Sequence, residues 1–297
     1  MNVHQEDYVE EGTPSITAMI TAMLRAAHLL WDDAPKIFED TFALRLSGCD
    51  GEAALRARLT GLDAEAVRRS TAIVIMRSRY LEDEVDQAVG RGVSQYVILG
   101  AGLDSFAFRR PDLAKVLRVF EVDHPATQAW KRTRLQEAGV ALPPNLSLVP
   151  VNFEKQSLID SLRMSGYRAD APGIFSWLGV TMYLTLDAIF STLRTVAALA
   201  PGTEIIFEYN VPKELVDEET QRILAVVMAD TATRGEPYQT FFEPVQLAEE
   251  VRRLGFAEVS DWGPEEAQAR YFTGRTDGLR ATPLNHYMRA RVGPRSS

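Results

Sequence analysis

The apolar run Val97-Ile98-Leu99 ends in Gly100-Ala101-Gly102, and an acidic cluster, Glu121-Val122-Asp123, follows about 19 residues after Gly102. An apolar run closing on two spaced glycines is how a buried parallel strand turns while a ligand presses on its backbone. Gly100 and Gly102 carry no side chain, so the loop can take dihedrals closed to other residues and let a cofactor touch the main chain. A carboxylate at the tip of the next strand suits a pair of ribose hydroxyls, because it accepts two hydrogen bonds at once. The spacing predicts an open α/β sheet holding a nucleoside-bearing cofactor.

What the loop lacks narrows the cofactor. A dinucleotide fingerprint wants a third glycine three positions after Gly102. That position is Ser105, preceded by Asp104. A carboxylate there repels a pyrophosphate and attracts the ammonium or sulfonium of S-adenosylmethionine. A nicotinamide-dependent dehydrogenase also wants a catalytic His or Lys motif, which is missing, so a methyl donor is the better expectation.

Around this loop the hydrophobic period changes. Residues 15–31, 36–46, 51–59 and 63–89 read as helix, an N-terminal helical cap over 1–90. From residue 91 short apolar runs alternate with helical segments. Strands are predicted at 95–99, 116–122, 146–151, 174–178, 204–209, 256–260 and 286–292. This alternation predicts a doubly wound, seven-stranded, mostly parallel sheet. A helix over 212–235 and an aromatic loop over 237–244 break it, giving a lid-like insertion at about 211–254. Tyr238, Phe241 and Phe242, with Met228, point to an apolar pocket there.

The 297-residue chain carries a net charge of −9, which argues against a surface built for nucleic-acid phosphates. Its single cysteine, Cys49, rules out an internal disulfide, and the four histidines show no metal-ligand spacing. The acidic N-terminus lacks an apolar signal region, and no apolar stretch approaches a membrane span, so a cytoplasmic protein is expected.

Met76-Arg77-Ser78-Arg79-Tyr80, Leu99 to Ser105, Phe120 to Asp123, Pro150-Val151-Asn152-Phe153 and Gly179-Val180-Thr181-Met182-Tyr183-Leu184 together resemble the leucine carboxyl methyltransferase family. The likeness is strongest to its bacterial branch associated with secondary metabolism. The resemblance implies a class I, Rossmann-like methyltransferase fold, S-adenosylmethionine as donor, S-adenosylhomocysteine as product, and an O-methylated acceptor. It makes Arg77 the partner of the donor's carboxylate, a pairing that a guanidinium makes bidentately. Gly100, Ala101 and Gly102 would line the homocysteine portion, and Asp123 would hold the ribose with Glu121 behind it on the same strand face.

Two positions depart from the family. Asn152 stands where an aspartate usually accepts from the adenine amino group, and remains an acceptor through its amide oxygen; Phe153 would pack on the ring or on the core. Leu178 stands where many relatives carry a glutamate near the donor's ammonium, leaving its backbone carbonyl and Asp104 to serve. Tyr183 is placed to orient the acceptor or shield the methyl group, and Tyr209 and Asn210 are expected at the same crevice, so Tyr183 and Tyr209 are the candidate catalytic residues. Arg275 and Arg280 are candidates to meet an acceptor carboxylate or are surface residues.

A carboxylate acceptor is already ionised at neutral pH, whereas a phenol ordinarily needs a base or a metal. No His/Asp dyad or metal cluster is readable, so the carboxylate of a small molecule or a peptide C-terminus is the expected acceptor. A hydroxyl or phenol acceptor, or a noncatalytic S-adenosylmethionine-binding protein, are the alternatives.

Overall fold

The computed structural model describes residues 16–152 and 156–294. Four helices precede the first strand: α1 (Ile16–Trp31), α2 (Ala43–Leu46), α3 (Glu52–Thr60) and α4 (Ala64–Gly90). α4 starts where the Asp63 carboxylate accepts the Ala66 N–H at 2.8 Å, satisfying a helix-end donor that has no partner inside the helix. The sheet strands are β1 (Gln95–Leu99), β2 (Arg118–Asp123), β3 (Leu146–Pro150), β4 (Ile174–Trp177), β5 (Glu204–Asn210), β6 (Phe256–Trp262) and β7 (Asn285–Val292). Between them run α5 (Phe106–Arg109), α6 (Pro125–Glu137), α7 (Leu158–Met164), α8 (Leu186–Ala197), α9 (Glu218–Thr233), α10 (Pro244–Arg253) and α11 (Pro264–Ala267).

All seven strands lie in one sheet of order β3-β2-β1-β4-β5-β7-β6, parallel except at β7, which pairs antiparallel with both neighbours. Every residue of β1, β4 and β5 is buried, because helices cover both faces of the parallel part. One face packs Phe120, Phe175 and Phe207 against Ile189 and Leu193 of α8. The other packs Tyr96, Ile98, Ile206 and Tyr287 against Ile75 and Val85 of α4. Each such buried side chain contributes roughly 1.5–3 kcal/mol of transfer free energy. The strand order reverses between β1 and β4, and the crevice beyond their C-terminal ends is where sheets of this kind seat ligands.

The predicted helix over 36–46 shrinks to Ala43–Leu46. The N–H groups of Ile37 and Phe38 both point at His28 Nε2, at 3.1 and 3.4 Å, and the Asp40 carboxylate accepts the Phe42 N–H at 3.0 Å. Side chains thus take the donors that a helix would have used. The predicted helix over 212–235 forms only over Glu218–Thr233, capped by Asp217, and the amphipathic α10 adds a helix that the sequence reading did not anticipate. Among the described residues, no helix is long and apolar enough to cross a membrane.

Candidate active site

A cavity of ≈ 410 Å³ opens at the β1/β4 switch point, in the size range of small-ligand sites. Gly100, Ala101, Gly102, Asp104, Asp123, Asn152, Leu178 and Arg77 all line it, so the structure brings together most of the residues singled out for the cofactor. Gly100 and Gly102 have φ of +66° and +49°, the left-handed region that L side chains rarely adopt. A Cβ at Gly100 would lie 2.5 Å from Val180 Cγ2, and one at Gly102 would lie 3.0 Å from Ala18 Cβ of α1. The glycines therefore let the loop pass close beneath α1 and beside Val180.

Asp123 clamps this loop. Its Oδ2 accepts the Gly102 N–H at 2.6 Å and its Oδ1 the His124 N–H at 2.7 Å. Burial raises its pKa, partly offset by these two backbone donors. The Thr127 side chain also bonds to it, so of the roughly four acceptor positions of a carboxylate one remains for a ribose hydroxyl. Asp104 Oδ1 accepts the Phe106 N–H at 2.7 Å, fixing a turn that keeps its carboxylate at the cavity wall. Asn152 lines the wall with its backbone N–H bonded to Gln156 Oε1 at 2.9 Å. Phe153 lies outside the described residues. These glycines, carboxylates and the amide fit the nucleoside and amino-acid ends of S-adenosylmethionine.

Glu121 does not reach this cavity. It is fully buried in an ion pair with Lys131 Nζ, which also donates to the Asp104 carbonyl at 2.6 Å. Burial pushes the Glu121 carboxyl up to about 7. Sharing a strand face with Asp123 puts Glu121 beneath the loop, so it supports the backbone through a lysine and leaves ligand contact to Asp123. Ser105, standing where a third glycine was sought, donates to the buried Asp40 carboxylate at 2.6 Å, and Asp40 also pairs with Arg25 at 2.8 Å. Arg25 in turn donates to the Leu103 carbonyl at 2.7 Å, so a charged network ties the loop to α1.

The sequence reading missed Glu208. This fully buried β5 carboxylate receives Arg77 Nη1 at 2.9 Å and the Gly179 N–H at 2.7 Å on Oε2. Asn285 Nδ2 at 2.8 Å and the Tyr287 hydroxyl at 3.4 Å donate to Oε1. Burial works against the charge of Arg77, but the Glu208 carboxylate together with Tyr287 and Tyr183 outweighs it and raises the guanidinium pKa. Leu178 removes a carboxylate from the end of β4, and the neighbouring strand places one beside Gly179. The signal was present, since a glutamate inside an otherwise apolar strand must have a partner.

Gly179 has φ +69°, and a Cβ there would lie 2.6 Å from Arg77 Nη1. Gly179→Ala is therefore expected to push the guanidinium off its seat, costing about 1 kcal/mol of stability and weakening S-adenosylhomocysteine binding about tenfold. Calorimetry on the folded variant reads this directly, and an unchanged Kd would remove Arg77 from the donor site.

A second cavity, ≈ 360 Å³, adjoins the first and shares Thr17, Thr21, Arg77, Gly179 and Tyr183 with it. α1, α4 and α9 form its walls. Tyr183 stands at the junction, edge-on to Tyr238 with ring centroids 5.1 Å apart. Burial, then the proximity of Tyr238, raises the Tyr183 pKa far above that of an ordinary phenol.

The expectation for Tyr209 is corrected. It is fully buried and donates to Asp261 Oδ1 at 2.6 Å, packed against Phe242 on the far face of the sheet. Successive strand residues point to opposite faces, so with Glu208 turned toward the site, Tyr209 must turn away. Asn210, two residues beyond Glu208, is on the site's side and accepts from Asn285 at 3.1 Å. Of the aromatic insertion, Tyr238 lines the second cavity, whereas Phe242 joins the core beside Phe190. Arg275 is spent on Asp277 and the carbonyls of Pro35 and Asp33, and Arg280 on Glu219; neither lines either of these two cavities.

The model of the leucine carboxyl methyltransferase family matches residues 18–197. A Bacillus subtilis (strain 168) protein named "Putative S-adenosyl-L-methionine-dependent methyltransferase YktD" is 31% identical, over 95% of this chain and 99% of its own. A Frankia alni protein with the same kind of name is 32% identical over 65% of this chain and 67% of its own. Among solved structures, one from Thermobifida fusca YX named as a "putative methyltransferase" superposes with a TM-score of 0.59 at 19% identity, covering 98% of this chain and 97% of its own. One from Streptomyces avermitilis superposes with a TM-score of 0.56 at 16% identity, covering 93% and 97%. With a glycine loop, a carboxylate at the tip of β2 and two adjoining cavities at the switch point of a seven-stranded sheet, the chain belongs to the leucine carboxyl methyltransferase family and is an S-adenosylmethionine-dependent methyltransferase of the class I fold.

Proposed function

We propose that the protein transfers methyl groups to a carboxylate, forming a methyl ester, with the first cavity holding the donor and the second the acceptor. The observation that carries this reading is the junction between the cavities, where the groups that could act as a base are already engaged, the Glu236 carboxylate among them by the Thr17 hydroxyl of the shared wall. Tyr183 and Tyr238 are half-buried phenols whose raised pKa keeps them protonated. Glu208 has its acceptor positions filled by Arg77, Gly179, Asn285 and Tyr287. The histidine at the donor cavity, His124, accepts the Ala126 N–H and sits beside Asp123. An acceptor that arrives ionised needs no base.

When bound, S-adenosylmethionine supplies a methyl group on a sulfonium, and its transfer breaks an S–C bond and forms a C–O bond, with no proton to move if the acceptor is a carboxylate. The residues supply position and exclude water. Arg77 would hold the donor's carboxylate, with Asp104 and Asp123 at its charged and ribose portions. Tyr183 and Tyr238, as neutral phenols, would donate hydrogen bonds that aim the acceptor oxygen across the junction. Apolar side chains of α1, α4 and α9 would keep the site dry.

The expected product loses its labelled methyl group in mild alkali, as an ester does and an ether does not. Label that survives alkaline treatment would point to a hydroxyl acceptor. Because no group in contact with the acceptor must lose a proton, the rate of methyl transfer is expected to stay flat above about pH 8, past the range in which Glu121 ionises, whereas a phenol acceptor makes it climb there.

A further inference from the structure

From the walls of the second cavity we infer that the acceptor acid has an aliphatic chain as its body, seated lengthwise against α4. This rests on the carboxylate reading above and adds what lies behind the carboxylate. Along α4 the cavity is lined by Ala66, Val67, Ser70, Ile73, Val74 and Arg77, spacings of three and four that fall on one helix face. At 1.5 Å per residue this strip is about 17 Å long. It is a slot, with Arg77 at the inner end by the donor cavity and the exposed Leu62 beyond its outer end.

The opposite walls are mainly aliphatic as well, with Ile20 and Leu24 from α1 and Ile223, Leu224 and Val227 from α9, and the charged side chains that also line the cavity are paired, Arg69 with Glu65 and Glu219 and Arg234 with Asp230. The aromatic rings, Tyr183 and Tyr238, stand at the inner end, where the carboxylate would be. An aromatic acid would find no ring to stack on along the slot. A peptide would bury amide groups that need partners, and the threonine hydroxyls on the walls already donate elsewhere: Thr17 to Glu236, Thr21 to the Ala18 carbonyl, Thr220 to Asp217, Thr231 to the Met228 carbonyl and Thr282 to Asn285. A methylene chain asks for no partner, and it fits a long, narrow, aliphatic slot with a polar inner end.

The test uses the full chain with S-adenosylmethionine and a homologous series from hexanoate to tetradecanoate, beside the alkanols of equal length, substituted benzoates and acetylated peptides ending in leucine. KM for the acids is expected to fall about fourfold per added methylene until the slot is full, then level off. Calorimetric titration of decanoate into the S-adenosylhomocysteine complex should show the same dependence without turnover. Ala66→Trp, placed at the outer part of the strip, should move the optimum to shorter acids. Methyl esters formed with no dependence on chain length, or a preference for benzoates or the peptides, would overturn the chain and leave the carboxylate reading standing. A chain-length dependence confined to alkanols, with alkali-stable products, would overturn the acid and with it the carboxylate reading.

Discussion

Asp123→Ala is expected to weaken S-adenosylhomocysteine binding by a hundredfold or more while the chain stays folded. Two losses add together. The carboxylate would give the ribose a charge-assisted hydrogen bond contributing roughly 1.5–3 kcal/mol. It also holds the Gly102 N–H at 2.6 Å and the His124 N–H at 2.7 Å, so without it the loop loses the clamp that shapes the cavity floor. A total of about 3 kcal/mol already corresponds to more than a hundredfold in Kd. Asp123→Asn, which keeps one acceptor oxygen, should fall between the two. Titration calorimetry measures both variants, and a Kd within threefold of the parent for Asp123→Ala would remove the ribose assignment.

Glu208→Ala is expected to lower stability by about 3 kcal/mol, a large share of the 5–15 kcal/mol that folded chains typically hold. Removing one partner of a buried ion pair leaves the other charge uncompensated, which usually costs 3–5 kcal/mol. Arg77 keeps 14% of its side-chain surface exposed and borders two cavities, so water can reach it, and the lower end applies. Glu208→Gln retains the shape and one acceptor and should be less severe. The denaturant midpoint reports this loss. Donor affinity should fall in parallel, because Arg77 is no longer held at the junction. A Glu208→Ala protein that unfolds at the parent midpoint would show that the pair contributes nothing.

The parts of the site that were legible in sequence are those fixed by local backbone chemistry. Gly100 and Gly102 report their own dihedrals, and Asp123 lies one strand further on in the same βαβ unit, so a single stretch of chain encodes one wall of the first cavity. The parallel strands were legible for a similar reason, since each carries an apolar run, whereas β6 and β7 mix apolar with charged residues. Glu208 was hidden because its meaning depends on Arg77, 131 residues earlier, and on Asn285 from an antiparallel strand near the end of the chain. Tyr209 was misplaced because β5 is buried on both faces, which erases the alternation that shows which way a residue points. The region over 36–46 misled for a different reason: its apolar residues are spaced as in a helix, yet the ring of His28 and the carboxylate of Asp40 claim its N–H groups.

Five residues form a wall common to both cavities, and this has a thermodynamic consequence. Whatever filling one cavity does to Arg77 or Tyr183 is felt in the other, so the two ligands are coupled. Linkage makes that coupling reciprocal: the factor by which donor tightens acceptor equals the factor by which acceptor tightens donor. If the acceptor is the carboxylate proposed above, losing the sulfonium charge on one side of the wall and the carboxylate charge on the other removes an attraction across it in a single event. Substrates are then held as a pair and products part as neighbours with less to bind them, so the wall lets turnover itself loosen the grip of the enzyme.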